Sequence, residues 1–227
     1  DRICNSGNAL AMSLFTMDMT CDVWNTPLVS FENGFPDCHI FPLHEPVSIP
    51  WEPGVALCFA RAEDMDHNPL TIDPRQALVR QLDRAEAMGF DIQVGTELEF
   101  YLLDPETGLP RDRGNDCYGL ARAAELEPVL GPIREQIASM GIPIEQSNPE
   151  YAAGQVEVNI RYDSALIAAD RVVKFRSLVK QFAARHGLLA TFMAKPFLSE
   201  SGNGFHTHYS AWADGSNVFS QDGHLSQ

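Results

Sequence analysis

Two acids one residue apart, Glu97 and Glu99, lie in the run Gly95-Thr96-Glu97-Leu98-Glu99-Phe100-Tyr101-Leu102-Leu103. Phe, Tyr and Leu favour a pleated surface and Asp104-Pro105 closes the run, so the stretch predicts a strand. Side chains alternate along a strand. Glu97 and Glu99 therefore share one face, about 6.6 Å apart, and Leu98, Phe100 and Leu102 share the other. Neighbouring carboxylates repel, and a multivalent cation between or beside them holds both ionised. A solvated face of an antiparallel sheet explains this pair, taken alone, equally well.

Two later segments repeat the pattern. In Gln155-Val156-Glu157-Val158-Asn159-Ile160 the polar side chains Gln155, Glu157 and Asn159 share a parity, and in Gly204-Phe205-His206-Thr207-His208-Tyr209-Ser210 so do His206, His208 and Ser210. Glu150 precedes the second segment and can lean over the same surface. If these faces meet, four carboxylates and two imidazoles converge. That donor set suits two or more hard cations, Mg²⁺ or Mn²⁺, better than zinc, which favours more His or Cys. Paired ions of this kind commonly serve phosphoryl chemistry. Taken singly, Glu157 reads as a surface strand acid and Glu150 as a loop acid, and His206 and His208 read equally well as exposed strand histidines. The shared parity is what joins them.

Lys195 is the sole Lys or Arg after Arg185. It fits either a phosphate contact or a solvated strand end. Ser201-Gly202-Asn203-Gly204 resembles a loop that presents its backbone, yet the chain holds neither a Walker motif nor G-x-G-x-x-G.

The elements around these residues fall into two parts. Residues 1 to about 62 look mainly β, with apolar runs at Leu10–Phe15, Leu28–Phe31, Cys38–Phe41 and Val55–Ala60 and a turn at Asn33-Gly34. A boundary is expected within Asp64–Thr71. Asp73-Pro74 then opens a helix whose stripe is Leu78, Leu82 and Ala85, with Gly89 as its stop. A second helix is expected over Glu125–Met140, with Val129, Leu130, Ile133, Ile137 and Met140 facing inward. Ser147-Asn148-Pro149-Glu150 reads as a turn. A third helix runs from Asp163 or Ser164 to about His186, with Leu166, Val173, Leu178, Val179 and Phe182 as its core face. Ala190–Ala194 and Gly204–Ala211 read as strands.

With 227 residues, the chain is long enough for one large or two modest domains with a substantial core. A formal charge of −15 and only three lysines argue against a nucleic-acid partner. No apolar run is long enough to cross a membrane. Five cysteines without a C-x-x-C pair suggest neither a disulfide frame nor zinc, which favours the cytoplasm. Asp1 is followed by no secretory pattern, and the missing initiator suggests a trimmed start. The final residues do not read as a finished terminus.

Gly95-Thr96-Glu97-Leu98-Glu99-Phe100, Gly154-Gln155-Val156-Glu157-Val158-Asn159, Ala190-Thr191-Phe192-Met193-Ala194-Lys195-Pro196 and Gly204-Phe205-His206-Thr207-His208-Tyr209-Ser210 look, in order and spacing, like the successive signatures of glutamine synthetases. Asp73-Pro74-Arg75 resembles the opening of that family's catalytic domain. The resemblance implies an α+β fold: a partial β-grasp domain over residues 1–65, then part of the catalytic domain, an antiparallel curved sheet with flanking helices, over 66–227. It implies an ATP-dependent ligase that phosphorylates the γ-carboxylate of glutamate and lets ammonia or another amine displace the phosphate. By motif match, Glu99, Glu150 and Glu157 would hold one metal ion and Glu97 with His206 the other. Glu150, Lys195 and His208 would be the catalytic groups. Lys195, His208 and Ser210 would contact ATP, and Gly202 and His206 the glutamate. Tyr118 corresponds to a tyrosine near the ammonium pocket, and Asp18 or Asp37 would reach a neighbour's site. The family forms homo-oligomeric rings.

Two motifs depart from the family pattern. Ser201-Gly202-Asn203-Gly204-Phe205 stands where Asn-Gly-Ser-Gly-Met is usual, and Pro42-Leu43 where Pro-Asp is. Such changes resemble the branch that joins glutamate to amines other than ammonia. The arginines that usually clamp the phosphoryl group are expected beyond Gln227 or on another subunit, so little turnover is expected of residues 1–227 alone. An amide hydrolase working without ATP, and a non-catalytic metal- or nucleotide-binding member of the family, are the alternative readings.

Overall fold

A computed structural model describes residues 6–43, 46–111, 116–221 and 224–225. Residues 1–84 form one compact unit and residues 85–227 a second.

In the first unit, β1 (Asn8–Ala11), β2 (Asp37–Pro42) and β5 (Ala60–Glu63) make an antiparallel sheet in the order β1-β2-β5, and β3 (Val47–Ser48) pairs with β4 (Ala56–Leu57). Met12, Val29, Cys38, Ala62 and Leu70 pack into its core. Two apolar runs read from sequence as strand material fold otherwise. Met12–Phe15 is a 3-10 turn. In Leu28–Phe31 the amides of Leu28 and Val29 donate to Thr26 Oγ1 and that of Ser30 to Asn33 Oδ1, so local side chains take donors that a strand would offer to a neighbour. The turn at Asn33-Gly34 forms, with Gly34 at φ +72°.

Helix α1 (Pro74–Ala87) starts as its sequence dictates, with the Asp73 carboxylate accepting from Arg75 N at 2.9 Å. Its Leu78, Leu82 and Ala85 stripe is half-buried rather than core.

The second unit is built on β6 (Asp91–Leu103). The other strands of its antiparallel sheet are β7 (Ile144–Pro149), β8 (Gln155–Ser164), β9 (Leu189–Thr191), β10 (Phe205–Ala213) and β11 (Ser216–Asn217). The order is β11-β10-β6-β8-β7, and β9 pairs with β6 beyond the end of β10. A further pair joins β12 (Ser220–Gln221) and β13 (His224–Leu225). Helix α2 (Leu120–Ser139) begins five residues earlier than its apolar stripe suggests, because Gly119 can serve as an extended N-cap whose carbonyl accepts from Ala123 N. The 147–150 segment is not a turn: Ser147, Asn148 and Pro149 pair with Val158, Glu157 and Val156 as the end of β7. Proline is tolerated there because β7 is an edge strand, paired among the described residues with β8 alone. The strand expected over 190–194 shortens to Leu189–Thr191, and that expected over 204–211 extends to Ala213.

Helix α3 (Ala165–Arg185) covers the apolar face of the sheet. Its buried stripe is Ala168, Val172, Phe175, Leu178, Val179 and Phe182, which leaves the expected Val173 exposed. Phe100, fully buried, packs its ring 4.9 Å from Phe192 and 6.2 Å from Phe175. No helix among the described residues is long and apolar enough to cross a membrane.

Candidate active site

The register of β10, β6, β8 and β7 lays the polar side chains out in rows. Glu97 faces His206 on β10 and Asn159 on β8, and Asn159 faces Gln146 on β7. One row along, Glu99 faces Glu157, which faces Asn148. One row further, Tyr101 faces Gln155. Directly opposite residues in antiparallel strands point to the same side, so the parities read from three separate segments add up to one surface. The register shifts between β6 and β8 and between β7 and β8 fall outside the rows that carry Glu97, Glu99 and Glu157.

Side-chain contacts tie the rows together. Glu97 bridges two imidazoles: Oε2 lies 3.0 Å from His206 Nδ1 and Oε1 lies 3.0 Å from His208 Nε2. One ligand atom each from Glu97, Glu157 and His206 lies within 4.8 Å of the others. Glu150 arrives from the loop after β7. It is buried, Asn148 Nδ2 donates to its Oε1 at 3.1 Å, and the Tyr151 amide donates to its Oε2 at 3.3 Å. The tight return into β8 needs Gly154. Its φ is +71°, and a Cβ there would meet the Leu102 carbonyl oxygen at 2.8 Å.

Glu97, Glu99, Glu150, Glu157, His206, Gly202, Asn159, Tyr118 and Tyr151 line an open cavity of about 520 Å³. His208 and Ser210 line a neighbouring one of about 310 Å³ with Gln93, Gly95 and Tyr162, and Glu97 and Asn159 border both. Lys195 lines neither. It sits in the loop after β9 with its ammonium bonded to the Glu200 carbonyl.

The electrostatics are those of an over-filled acidic wall. Burial first, then the Glu99 charge, raises the pKa of Glu150. Burial, then Glu97, Glu150 and Glu99, raises that of Glu157. The hydrogen bond to Glu97 raises the His206 pKa. A hard divalent cation fits this donor set: it would take oxygen and imidazole ligands and relieve the mutual repulsion that burial makes costly.

Three polar groups next to the site escape a search for charged ligands alone. Tyr101, fully buried, donates from its hydroxyl to the Ser201 carbonyl at 2.5 Å, and burial with Glu200 and Glu99 nearby pushes its pKa up to about 12. Gln155 contacts Glu99, and Asn203 holds the 201–204 loop to the end of β9 and the chain that follows it. Their signal was present in part, because the alternation that pairs Glu97 with Glu99 continues to Tyr101.

The profile of the family described as glutamine synthetase, catalytic domain, matches residues 71–227. The chain belongs to the glutamine synthetase family. Among curated relatives of this family it is 32% identical over 191 residues to a glutamate–isopropylamine ligase from a Pseudomonas species, covering 79% of this chain and 42% of that protein. It is 36% identical over 189 residues to the gamma-glutamylethanolamide synthetase GlnA4 of Streptomyces coelicolor, covering 78% and 41%. With the glutamine synthetase of Pyrococcus horikoshii it shares 37% over 186 residues, covering 80% and 41%. A solved structure of ligand-free GmaS superposes with a TM-score of 0.84 at 33% identity, covering 99% of this chain and 52% of that one. The chain thus spans about two fifths of the length of these curated glutamine synthetase relatives. The α+β fold expected from the sequence, a catalytic-domain sheet with flanking helices, is the one found.

Proposed function

We propose that this chain forms the metal- and glutamate-binding part of an ATP-dependent ligase, which joins the γ-carboxylate of glutamate to an amine through a γ-glutamyl phosphate. The observation that carries the reading is the convergence of Glu97, Glu157 and His206 from three strands onto one face. Glu99, Glu150 and Glu157 would hold one Mg²⁺ or Mn²⁺, and Glu97 with His206 the other. Bound there, the ions would neutralise charge on the transferring phosphoryl group. The residues of the chain prepare the rest. Asn148 and the Tyr151 amide orient Glu150. Glu97 holds His206 and His208 together at the border of the two cavities, where His208 and Ser210 would meet the nucleotide. The acidic wall attracts a cationic amine, and the rings of Tyr118 and Tyr151 border the same cavity.

An amine other than ammonia is the acceptor we favour. The Ser201–Phe205 departure supports it, as does similarity to proteins named for an isopropylamine substrate and a gamma-glutamylethanolamide product. The same reading puts the enzyme in the cytoplasm as a homo-oligomeric ring, with its domain boundary at 65/66 and without a nucleic-acid or membrane partner. The test is phosphate release by the full-length protein, with ammonia and a panel of small alkylamines and hydroxyalkylamines. Release that requires glutamate, Mg²⁺ or Mn²⁺ and an amine is expected. Amide hydrolysis without ATP, or phosphate release indifferent to amine, would overturn it.

A further inference from the structure

Gln155 is almost fully buried at the start of β8, between a proposed metal ligand and the loop that carries Gly202. Its Oε1 accepts from Ala152 N at 3.2 Å. A backbone N–H can only donate, so this contact fixes which end of the amide faces where. The Nε2 end then meets three acceptors: Glu99 Oε2 at 3.0 Å, the Gly202 carbonyl at 3.0 Å and Asn203 Oδ1 at 3.1 Å. Two protons serve three oxygens, so the carboxylate and the loop share one donor group.

The loop that receives two of these bonds is also held from its other side. Asn203 Nδ2 donates to the Met193 carbonyl at 2.8 Å, the Asn203 amide donates to the Ala194 carbonyl at 2.8 Å, and Tyr101 holds the Ser201 carbonyl. A Cβ on Gly202 would lie 2.8 Å from the Ala194 oxygen, and one on Gly204 would lie 2.6 Å from Glu99 Oε1. Asn203 also occupies one of the positions where the loop departs from the sequence usual in the family.

We infer that Gln155 is a positioning residue that couples the two halves of the site: it sets the orientation of Glu99 and the conformation of the Ser201–Gly204 loop through one amide. Metal affinity and glutamate recognition therefore change together when it is altered. The glutamate half rests on the ligase reading above; the metal and loop half does not.

The experiment compares Gln155→Leu, Gln155→Glu and Asn203→Ala with the wild type in the full chain. It uses Mn²⁺ binding by calorimetry or electron paramagnetic resonance, amide hydrogen exchange of the 201–204 loop, and KM for glutamate against KM for ATP. Gln155→Leu keeps bulk without a donor. Gln155→Glu keeps shape and turns an acceptor toward three acceptors. Both should weaken Mn²⁺ about tenfold or more, in the range usual for groups that orient metal ligands. Both should also speed exchange in the loop and raise KM for glutamate about tenfold, with KM for ATP within about twofold. Asn203→Ala leaves the Gln155–Glu99 bond and should loosen the loop with Mn²⁺ affinity within about twofold. If Gln155→Leu fails to fold, Gln155→Glu and Asn203→Ala supply the same contrast. Mn²⁺ affinity held within about twofold in the folded Gln155 variants, or weakened without faster loop exchange, overturns the coupling. A wild-type enzyme whose phosphate release ignores glutamate sinks the ligase reading instead and leaves the Mn²⁺ and exchange comparison to judge Gln155.

Discussion

The two faces of β6 and β8 differ as much as any two regions of the molecule, although they alternate residue by residue along the same strands. Leu98, Phe100, Val156, Val158 and Ile160 are buried against α3 and supply the hydrophobic stabilisation of the sheet. Glu97, Glu99 and Glu157, interleaved with them, gather like charges on the opposite side. One face lowers the free energy of folding, and the other raises it in exchange for the proposed metal site. Because neighbouring residues serve opposite ends, a substitution on either face should separate stability from activity.

Removing a face-defining group tests that separation most directly. Phe100→Ala should cost about 3–5 kcal/mol of stability, because its ring packs against Phe175 and Phe192 with no solvent to fill the void. A denaturant midpoint shift checks this, and a loss below about 1 kcal/mol would mean that the apolar face is not the principal core. Glu157→Gln should do the reverse. Glutamate-dependent phosphate release falls about 100-fold or more, in the range seen when a charge-stabilising group is removed. The metal-free protein becomes no less stable, because a repelling charge is gone. Destabilisation on the scale of Phe100→Ala would erase the contrast.

The pH dependence sharpens the same point. Glu150 and Glu157 have raised pKa values in the folded chain, so the folded state binds their protons more tightly than the unfolded state does. That contribution is present below the ordinary carboxylate value and is lost as pH rises through the raised values. The raised His206 value acts in the same direction, starting from the ordinary imidazole range. The metal-free acidic face should therefore be more favourable near about pH 5 than near about pH 7.5. Added Mn²⁺ should raise Tm at the higher pH and little at the lower, where protons compete for the same oxygens. Scanning calorimetry at both values reads this, and a larger Mn²⁺ effect at the acid end would refute it.

The smallest effect is expected at Lys195, which lies outside both cavities with its ammonium on the Glu200 carbonyl. Lys195→Met should change KM for ATP by less than about threefold, roughly the worth of one surface charge interaction. A rise beyond about tenfold would return Lys195 to the phosphates.

Much of this site was legible before any coordinate. Alternation is a property of the local backbone, so the sequence alone put Glu97 with Glu99, Glu157 with Gln155 and Asn159, and His206 with His208. The helix start at Asp73-Pro74 and the turn at Asn33-Gly34 were legible for the same reason, since each depends on side chains within a few residues. Where long-range pairing competed with local signals, reading failed. Ser147-Asn148-Pro149 has turn chemistry, yet pairing with β8 draws it into a strand. Leu28–Phe31 has strand composition, yet hydroxyl and amide side chains beside it take its amides.

Tertiary structure alone decided the register. Nothing near Glu97 in the chain specifies that it stands opposite His206, more than a hundred residues on, or that Glu99 stands opposite Glu157. That choice comes from packing the apolar faces on α3, because a slip of one residue would turn every carboxylate into the core. The amide of Gln155 belongs with it. Its sequence placed it on the polar face, and only folding brought it the Glu99 carboxylate from β6 and the two loop oxygens of Gly202 and Asn203 that give it a role.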